Sequence, residues 1–283
     1  YGRSPRVGDV VSNFSDFIGG GGSASYPTIF LSKSQTWVPF QDGNICIHVI
    51  GGGGGGASGT DVSYGSGSAA GYCKKNSLAV TTSGSFTVVV GAGGTRGRNS
   101  NAGGNGGASY VNGTGLSSNL MAGGGAGGPA GTSTPTPGSA SGGDVNNTGG
   151  TGGYYRGGGA VGLTGTGETG FRDNANGWAG ECDIVGDLWS STLGQIAGGR
   201  RGVSITTSSG GNYSRPSPTS NCNGGPFSGG GRVKIQSNPN PSSLAQGGDG
   251  GIGAGGGMGT NPSSAYCNGG SGGPGLVVIQ YIP

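Results

Sequence analysis

Short apolar runs separated by long stretches with few apolar residues set the pattern of this chain. The runs gather near the two ends: TIFLS (28–32), TWVPF (36–40), NICIHVI (44–50), SLAVTT (77–82) and SFTVVVG (85–91), then GRVKIQ (231–236) and GLVVIQYIP (275–283). In 44–50, two-residue alternation puts Ile45, Ile47 and Val49 on one face and Cys46, His48 and Ile50 on the other. TTSGS (81–85) reads as a tight turn and predicts a hairpin over 77–91. The last run is almost continuously apolar, so it needs partners, and the early strands supply them. The two ends are therefore expected to close into one small β-sandwich, with Trp37 and Phe40 in its core. Residues 1–25 read as a lead-in or attachment segment holding Val10, Val11, Phe14, Phe17 and Ile18.

Between these runs glycine takes over. It supplies 76 of 283 residues, in bursts such as GGGGGG (51–56), while hydrophobic residues make up 30%. Ordering one residue's backbone costs on the order of 1–2 kcal/mol, and glycine sits at the costly end. Apolar burial at this level does not offset that, so the main chain itself must do the packing. Collagen would require Gly at every third position, and GGNGGASY (103–110) and GGDGGIGAGGG (247–257) lose that phase within a few triplets. What remains is an extended left-handed helix of three residues per turn without internal hydrogen bonds. Its outward N–H and C=O groups must pair with neighbours, and without Cβ atoms several such helices can lie side by side. The predicted fold class is thus mainly β with little or no α: a small β-sandwich base and a bundle of polyglycine II helices joined by surface loops. The expected division is 1–25 as lead-in, 26–95 with 225–283 as base and flanking glycine tracts, and 96–274 as bundle with loops.

Charge changes the picture little. The net charge is +3 with 9% charged residues, and the basic residues are scattered, with pairs at Lys74-Lys75 and Arg200-Arg201. No nucleic-acid partner is expected from so dispersed a pattern. No apolar run approaches the ~20 residues of a membrane span, and no signal-peptide pattern is visible, so no membrane insertion is expected. A chain that begins with Tyr1 is expected to be a processed or partial product. Cys46, Cys73, Cys182, Cys222 and Cys267 form no C-x-x-C pair. With only His48 beside them, they read as free thiols, or as at most two bridges, with no metal site and no cofactor.

Catalysis finds little purchase. GGGGGG after a strand mimics a dinucleotide fingerprint, yet neither the following helix nor the acidic residue about 20 positions on is present. A Ser-His-Asp arrangement would have to use His48, which sits mid-strand and reads as structural. The carboxylates Asp173, Glu181, Asp183 and Asp187 cluster, and they read as a solvated polar loop.

The stronger signal lies in islands between the tracts, at 110–121, 132–147, 154–156, 171–222, 237–246 and 258–267. As the turns at the ends of glycine helices they would lie on the surface, where function concentrates. Tyr, Trp and Arg dominate binding hot spots. The candidate receptor-binding residues are therefore Tyr154, Tyr155, Arg156, Phe171, Arg172, Trp178, Trp189, Arg200, Arg201, Tyr213, Arg215 and Tyr266. For Trp178 and Trp189 a second reading, as caps on the ends of the array, stands beside this one.

W-x-P, then ICIHVIGGGGGGASG, then GSAAGYCKKNSLAVTTSGSFTVVVGAGGTRG, then GGNGGASYV and a terminal GGPGLVVIQYI follow one another in order. This series resembles the glycine-rich domain of bacteriophage tail and tail-fibre proteins over 26–112 and 225–283. The alternation of tracts and variable segments is similar to the distal tip adhesins of T-even-type long tail fibres. The resemblance implies a non-enzymatic receptor-binding protein of the virion, assembled in the bacterial cytoplasm. It would recognise a host outer-surface protein or glycan through loops on a polyglycine II scaffold and would contact other tail or fibre proteins. Residues 1–25 do not match that family's attachment domain. A rival expectation is a structural virion or filament component whose bundle serves assembly. Ice binding is a third, against which the bulky islands count.

Overall fold

The computed structural model describes residues 26–59, 65–153, 158–159, 161–162, 165–170, 205–207, 227, 229–230, 233–235, 245–260 and 267–283. The lead-in segment 1–25 lies outside the described residues. In chain order the strands are β1 (Thr28–Leu31), β2 (Gln35–Trp37), β3 (Gly43–Ile50), β4 (Ser58–Gly59), β5 (Tyr72–Val80), β6 (Phe86–Val89), β7 (Ser109–Gly113) and β8 (Leu120–Ala122). They continue as β9 (Ala140–Ser141), β10 (Val145–Asn147), β11 (Ile205–Thr207), β12 (Val233–Ile235), β13 (Ala245–Gln246), β14 (Gly259–Thr260), β15 (Cys267–Asn268) and β16 (Leu276–Ile282). No helix occurs among the described residues.

Two antiparallel five-stranded sheets form the base, in the orders β1-β16-β3-β5-β10 and β2-β6-β7-β8-β9. The nearly continuous apolar run at the C-terminus is the reason β16 lies inside its sheet. It pairs with β1 on one side and, from Leu276↔Ile50 to Ile282↔Asn44, with β3 on the other. The predicted alternation in β3 holds. Ile45, Ile47 and Val49 face the second sheet and join Val277, Ile279 and Tyr281 against Trp37, Phe86, Val88, Val111 and Leu120. Trp37 stacks on Phe86 with ring centroids 5.4 Å apart.

The reverse face of the first sheet is equally apolar. Ile50, Tyr72, Leu276 and Val278 pack there against Ala69, Val161 and Phe227. This second cluster seats the glycine bundle on the sandwich.

In that bundle, hydrogen-bond partners rotate with a three-residue period. Along 51–58, Gly51, Gly54 and Ala57 donate to Gly71, Ser68 and Gly65; Gly52, Gly55 and Ser58 donate to Gly107, Gly104 and Asn101; Gly53 and Gly56 donate to Gly273 and Gly270. The carbonyls accept in the same rotation. Gly52 and Gly55 accept from Gly125 and Gly128, Gly53 and Gly56 from Gly94 and Gly97, Gly54 and Ala57 from Gly256 and Gly259. One segment is thus bonded to six neighbours, as a polyglycine II helix in a hexagonal array requires. The registers add a rule of direction: the segment donates to three antiparallel neighbours and accepts from three parallel ones. Segments 65–71 and 253–259 are likewise bonded to six neighbours, without that division of directions, whereas 91–97 and 101–107 bond on one side only.

Such packing leaves no room for side chains. A Cβ on Gly53, Gly54 or Gly55 would overlap the carbonyl oxygen of Ala254, Ala126 or Thr95. Serine serves where the lattice lacks a main-chain partner. Ser68 Oγ donates to Pro135 O (2.8 Å) and accepts from Gly152 N (2.9 Å), and Ser66 Oγ accepts from Met258 N (2.9 Å).

Several sequence expectations are corrected. The predicted hairpin over 77–91 is absent: β5 pairs with β3 and β10, and β6 with β2 and β7, so the 81–85 turn carries the chain from one sheet to the other. Alternation is the cause, since Leu78 and Val80 must face Phe86 and Val88 across the core. Phe40 is 57% exposed rather than buried and lies over the ring of Tyr281 at 4.9 Å. The 110–121 island is no loop on the glycine array. Its Val111 and Leu120 are buried, and it forms the β7-β8 pair of the sandwich. The division into base and bundle shifts accordingly. Glycine helices begin at 51, the base takes in 109–122 and 140–147, and of 225–283 only β16 belongs to the sandwich.

The lattice yields a matched pair of mutational predictions. Gly54→Ala is expected to cost about 3 kcal/mol, the upper end for overpacking, because the clash is with main chain that neighbours hold on every side. Gly131→Ala, with nothing within 4 Å of the new methyl, should be neutral. Urea unfolding of both variants against wild type measures the difference.

Candidate functional site

The registers also define which end of the bundle is which. Strand β3 leads out of the sandwich into 51–58, and the parallel segments 91–97, 123–129 and 254–259 head the same way. Segments 65–71, 101–107 and 269–275 run back and enter β5, β7 and β16. The bundle therefore has an inner end on the sandwich and an outer end facing away from it.

At the outer end the glycine helices pass into a parallel ladder, β11-β12-β14-β4, in which Ile205, Val233, Gly259 and Ser58 stand in register. Beside it β13 pairs in parallel with β15. Cys267 Sγ donates to Gly59 O at 3.1 Å within this layer.

The candidate residues Tyr154, Tyr155, Arg156, Phe171, Arg172, Trp178, Trp189, Arg200, Arg201, Tyr213, Arg215 and Tyr266 all lie outside the described residues. Their described flanks are placed. Segment 149–153 is antiparallel to 65–71 and so runs outward, ending at Gly153, while Gly158 and Gly159 begin a segment running back toward Val161. Gly167 and Gly170 donate to Thr148 and Thr151, so 165–170 also heads outward. Thr207, Thr260 and Cys267 all belong to the outer strands.

One outer turn escaped the sequence reading. Segment 91–97 ends in Arg96-Gly97-Arg98-Asn99-Ser100-Asn101, and Asn99 and Ser100 have φ of 51° and 63°, in the left-handed region. Asn101 closes the turn on Arg98 O through its amide (3.2 Å) and through Nδ2 (2.8 Å). The signal was present as a polar interruption, RGRNSNA, between two glycine tracts, but it contains no aromatic residue.

A second polar group sits on the reverse face of β3. His48 lies between Cys46, with Sγ 3.2 Å from Nε2, and Tyr72, with its hydroxyl 2.7 Å from Nδ1. A neutral imidazole satisfies both contacts, one nitrogen donating and the other accepting. Burial lowers the His48 pKa to about 3, and Lys74 adds to the effect. Burial likewise raises the Cys46 thiol. His48, read from the sequence as structural, is 4% exposed, with both ring nitrogens in contact with neighbouring side chains. Cys46, Cys73 and Cys267 are free thiols; Cys182 and Cys222 lie outside the described residues. Among the described residues no cluster of three His, Cys, Asp or Glu side chains could hold a metal ion.

A family model described as a glycine-rich domain matches residues 28–282. The chain belongs to that family. No curated protein matches it.

The histidine pair of contacts predicts an acid sensitivity. Above about pH 6.5 the imidazole is neutral in folded and unfolded chains alike and pH has no leverage. Between about 6.5 and 3 the unfolded chain binds a proton that the folded one refuses, so stability falls by up to roughly 1.4 kcal/mol per pH unit. In His48→Asn that component of the slope should vanish. Denaturant midpoints of wild type and variant, measured from pH 7.5 to 4, give it by difference.

Proposed function

We propose that this chain is a receptor-binding protein at the tip of a bacteriophage tail or tail fibre. On this reading it is an adhesin without catalytic activity, carried on the virion and recognising a protein or glycan of the host surface. The observation that carries the reading is the polarity of the bundle. The sandwich gathers one set of connections at the inner end, and the outer end receives Gly153, Gly170, Thr207, Thr260 and Cys267, which flank the aromatic and arginine-rich islands, while Phe227, after 171–222, returns to the inner end. A lattice bonded in six directions keeps its geometry while connecting segments differ in length and composition, which suits a surface that must meet a variable receptor. The family resemblance in the order of strand, glycine burst and closing strand points the same way.

Binding of the purified chain to a panel of intact bacterial strains tests this. Selective binding is expected to some strains. It should weaken by tenfold or more when 171–204 is replaced by a short Gly-Ser linker, with the melting transition retained. A well-folded wild-type chain that binds no strain and self-assembles would overturn adhesion and favour the structural-component alternative.

A further inference from the structure

We infer that the outer turn 96–101 is an anion-binding element, in which Arg96 and Arg98 take a carboxylate or phosphate group of a surface polysaccharide. The inference rests on the adhesin reading above and supplies the ligand chemistry for one part of its surface.

The first argument is rigidity. Gly97, between the two arginines, is buried; its amide donates to Gly56 O at 2.8 Å and its carbonyl accepts from Gly269 N at 2.9 Å. A Cβ there would lie 2.9 Å from Ser58 N, so no side chain replaces it without displacing main chain. Arg98 makes an antiparallel bridge to Asn268, and Ser58 N donates to Asn101 O at 3.0 Å. The backbone carrying both guanidinium groups is thus pinned to two other segments of the bundle. Consecutive left-handed φ values at Asn99 and Ser100 hold a non-glycine pair in a sparsely populated conformation. Such conformations persist where the surroundings over-determine them, and they cluster at binding sites. The backbone of the turn needs no further ordering when a ligand arrives, and only the two side chains have to be fixed.

The second argument is charge without a partner. Arg98 is exposed and Arg96 half-buried. Neither forms an ion pair or a side-chain hydrogen bond with the described residues, whose one salt bridge joins Lys75 to Asp144 on the sandwich. Described carboxylates elsewhere are engaged: Asp42 accepts from Thr82 N, and Asp249 from Ser271 N. Two arginines two residues apart on one pinned turn, with no carboxylate partner among the described residues, suit a group of several anionic oxygens, since the guanidinium fork matches carboxylate and phosphate geometry.

The test uses the full chain, with Arg96→Gln/Arg98→Gln and Arg96→Lys/Arg98→Lys variants. Inorganic phosphate and glucuronic acid are titrated while the arginine side-chain NMR resonances are followed, and binding to intact cells is measured in parallel. Saturable shifts of two arginine resonances absent from the Gln variant are expected. The ligand giving the tighter curve separates phosphate from sugar carboxylate. Cell binding should fall tenfold or more in the Gln variant and partially in the Lys variant, and wild-type binding should weaken with salt. Cell binding that persists in the Gln variant but disappears on replacing 171–204 would overturn the anion site and leave adhesion standing. Phosphate or glucuronate shifts that depend on the arginines, in a chain that binds no strain, would keep the site and overturn the adhesin reading. Absence of any arginine-dependent shift overturns the site outright.

Discussion

Everything in the bundle depends on how closely two peptide backbones can approach when no Cβ intervenes. In an ordinary domain the side chains set the distance between elements, and the peptide groups bond within a helix or along a sheet. Here an enclosed segment such as 51–58 bonds outward in three donor and three acceptor directions, and the missing methyl group is where the neighbouring carbonyl sits. An unpaired buried peptide group costs roughly 1–3 kcal/mol, so the array is specified by the penalty for leaving a position empty more than by the gain at each bond. Ser66 and Ser68 complete the lattice with hydroxyl groups.

An array of this kind has no hydrophobic reason to start or stop, and the sandwich supplies one. Its inter-sheet core is conventional, built on Ile, Val, Leu, Phe and Trp. The reverse face of the first sheet then provides an apolar seat for Ala69, Val161 and Phe227, from which glycine helices extend. The neutral His48, lodged between a thiol and a phenol, belongs to this same sheet face and is kept uncharged by burial. At the other end the glycine geometry relaxes into a short parallel ladder as soon as β-branched residues such as Val233 and Ile235 return.

The parts of the fold legible in the sequence were those governed by local periodicity. The two-residue alternation of 45–49 placed three side chains correctly in the core. The continuous run of 276–282 required partners on both sides and found them. Composition alone pointed to polyglycine II packing, because no other regular conformation tolerates so many consecutive glycines. Tertiary choice was not legible. The turn after Val80 has the residues of a hairpin, yet the core is better filled when it joins two sheets. The island 110–121 looked like a loop only because glycine tracts surround it, whereas Val111 and Leu120 make it a strand pair. Arg96-Gly97-Arg98 carries no aromatic residue, and nothing local in the sequence distinguishes it from other polar interruptions of the glycine tracts. The backbone of that turn is held by Gly56, Ser58 and Asn268, which are remote in sequence.

The order of the hydrogen-bond partners along the chain has a consequence for how the molecule comes into being. The segment at 51–58 emerges early, yet it is completed by partners at 253–259 and 269–273, and β16, the last of these strands in chain order, slots between β1 and β3. Contacts of such long separation are slow to form and contribute only once most of the loop entropy has been lost. During synthesis neither the sandwich nor the innermost glycine helix can close. Folding of this domain is accordingly an event that follows translation of its final residues, in which base and bundle lock together. A chain cut short by its last strand would lose both at once.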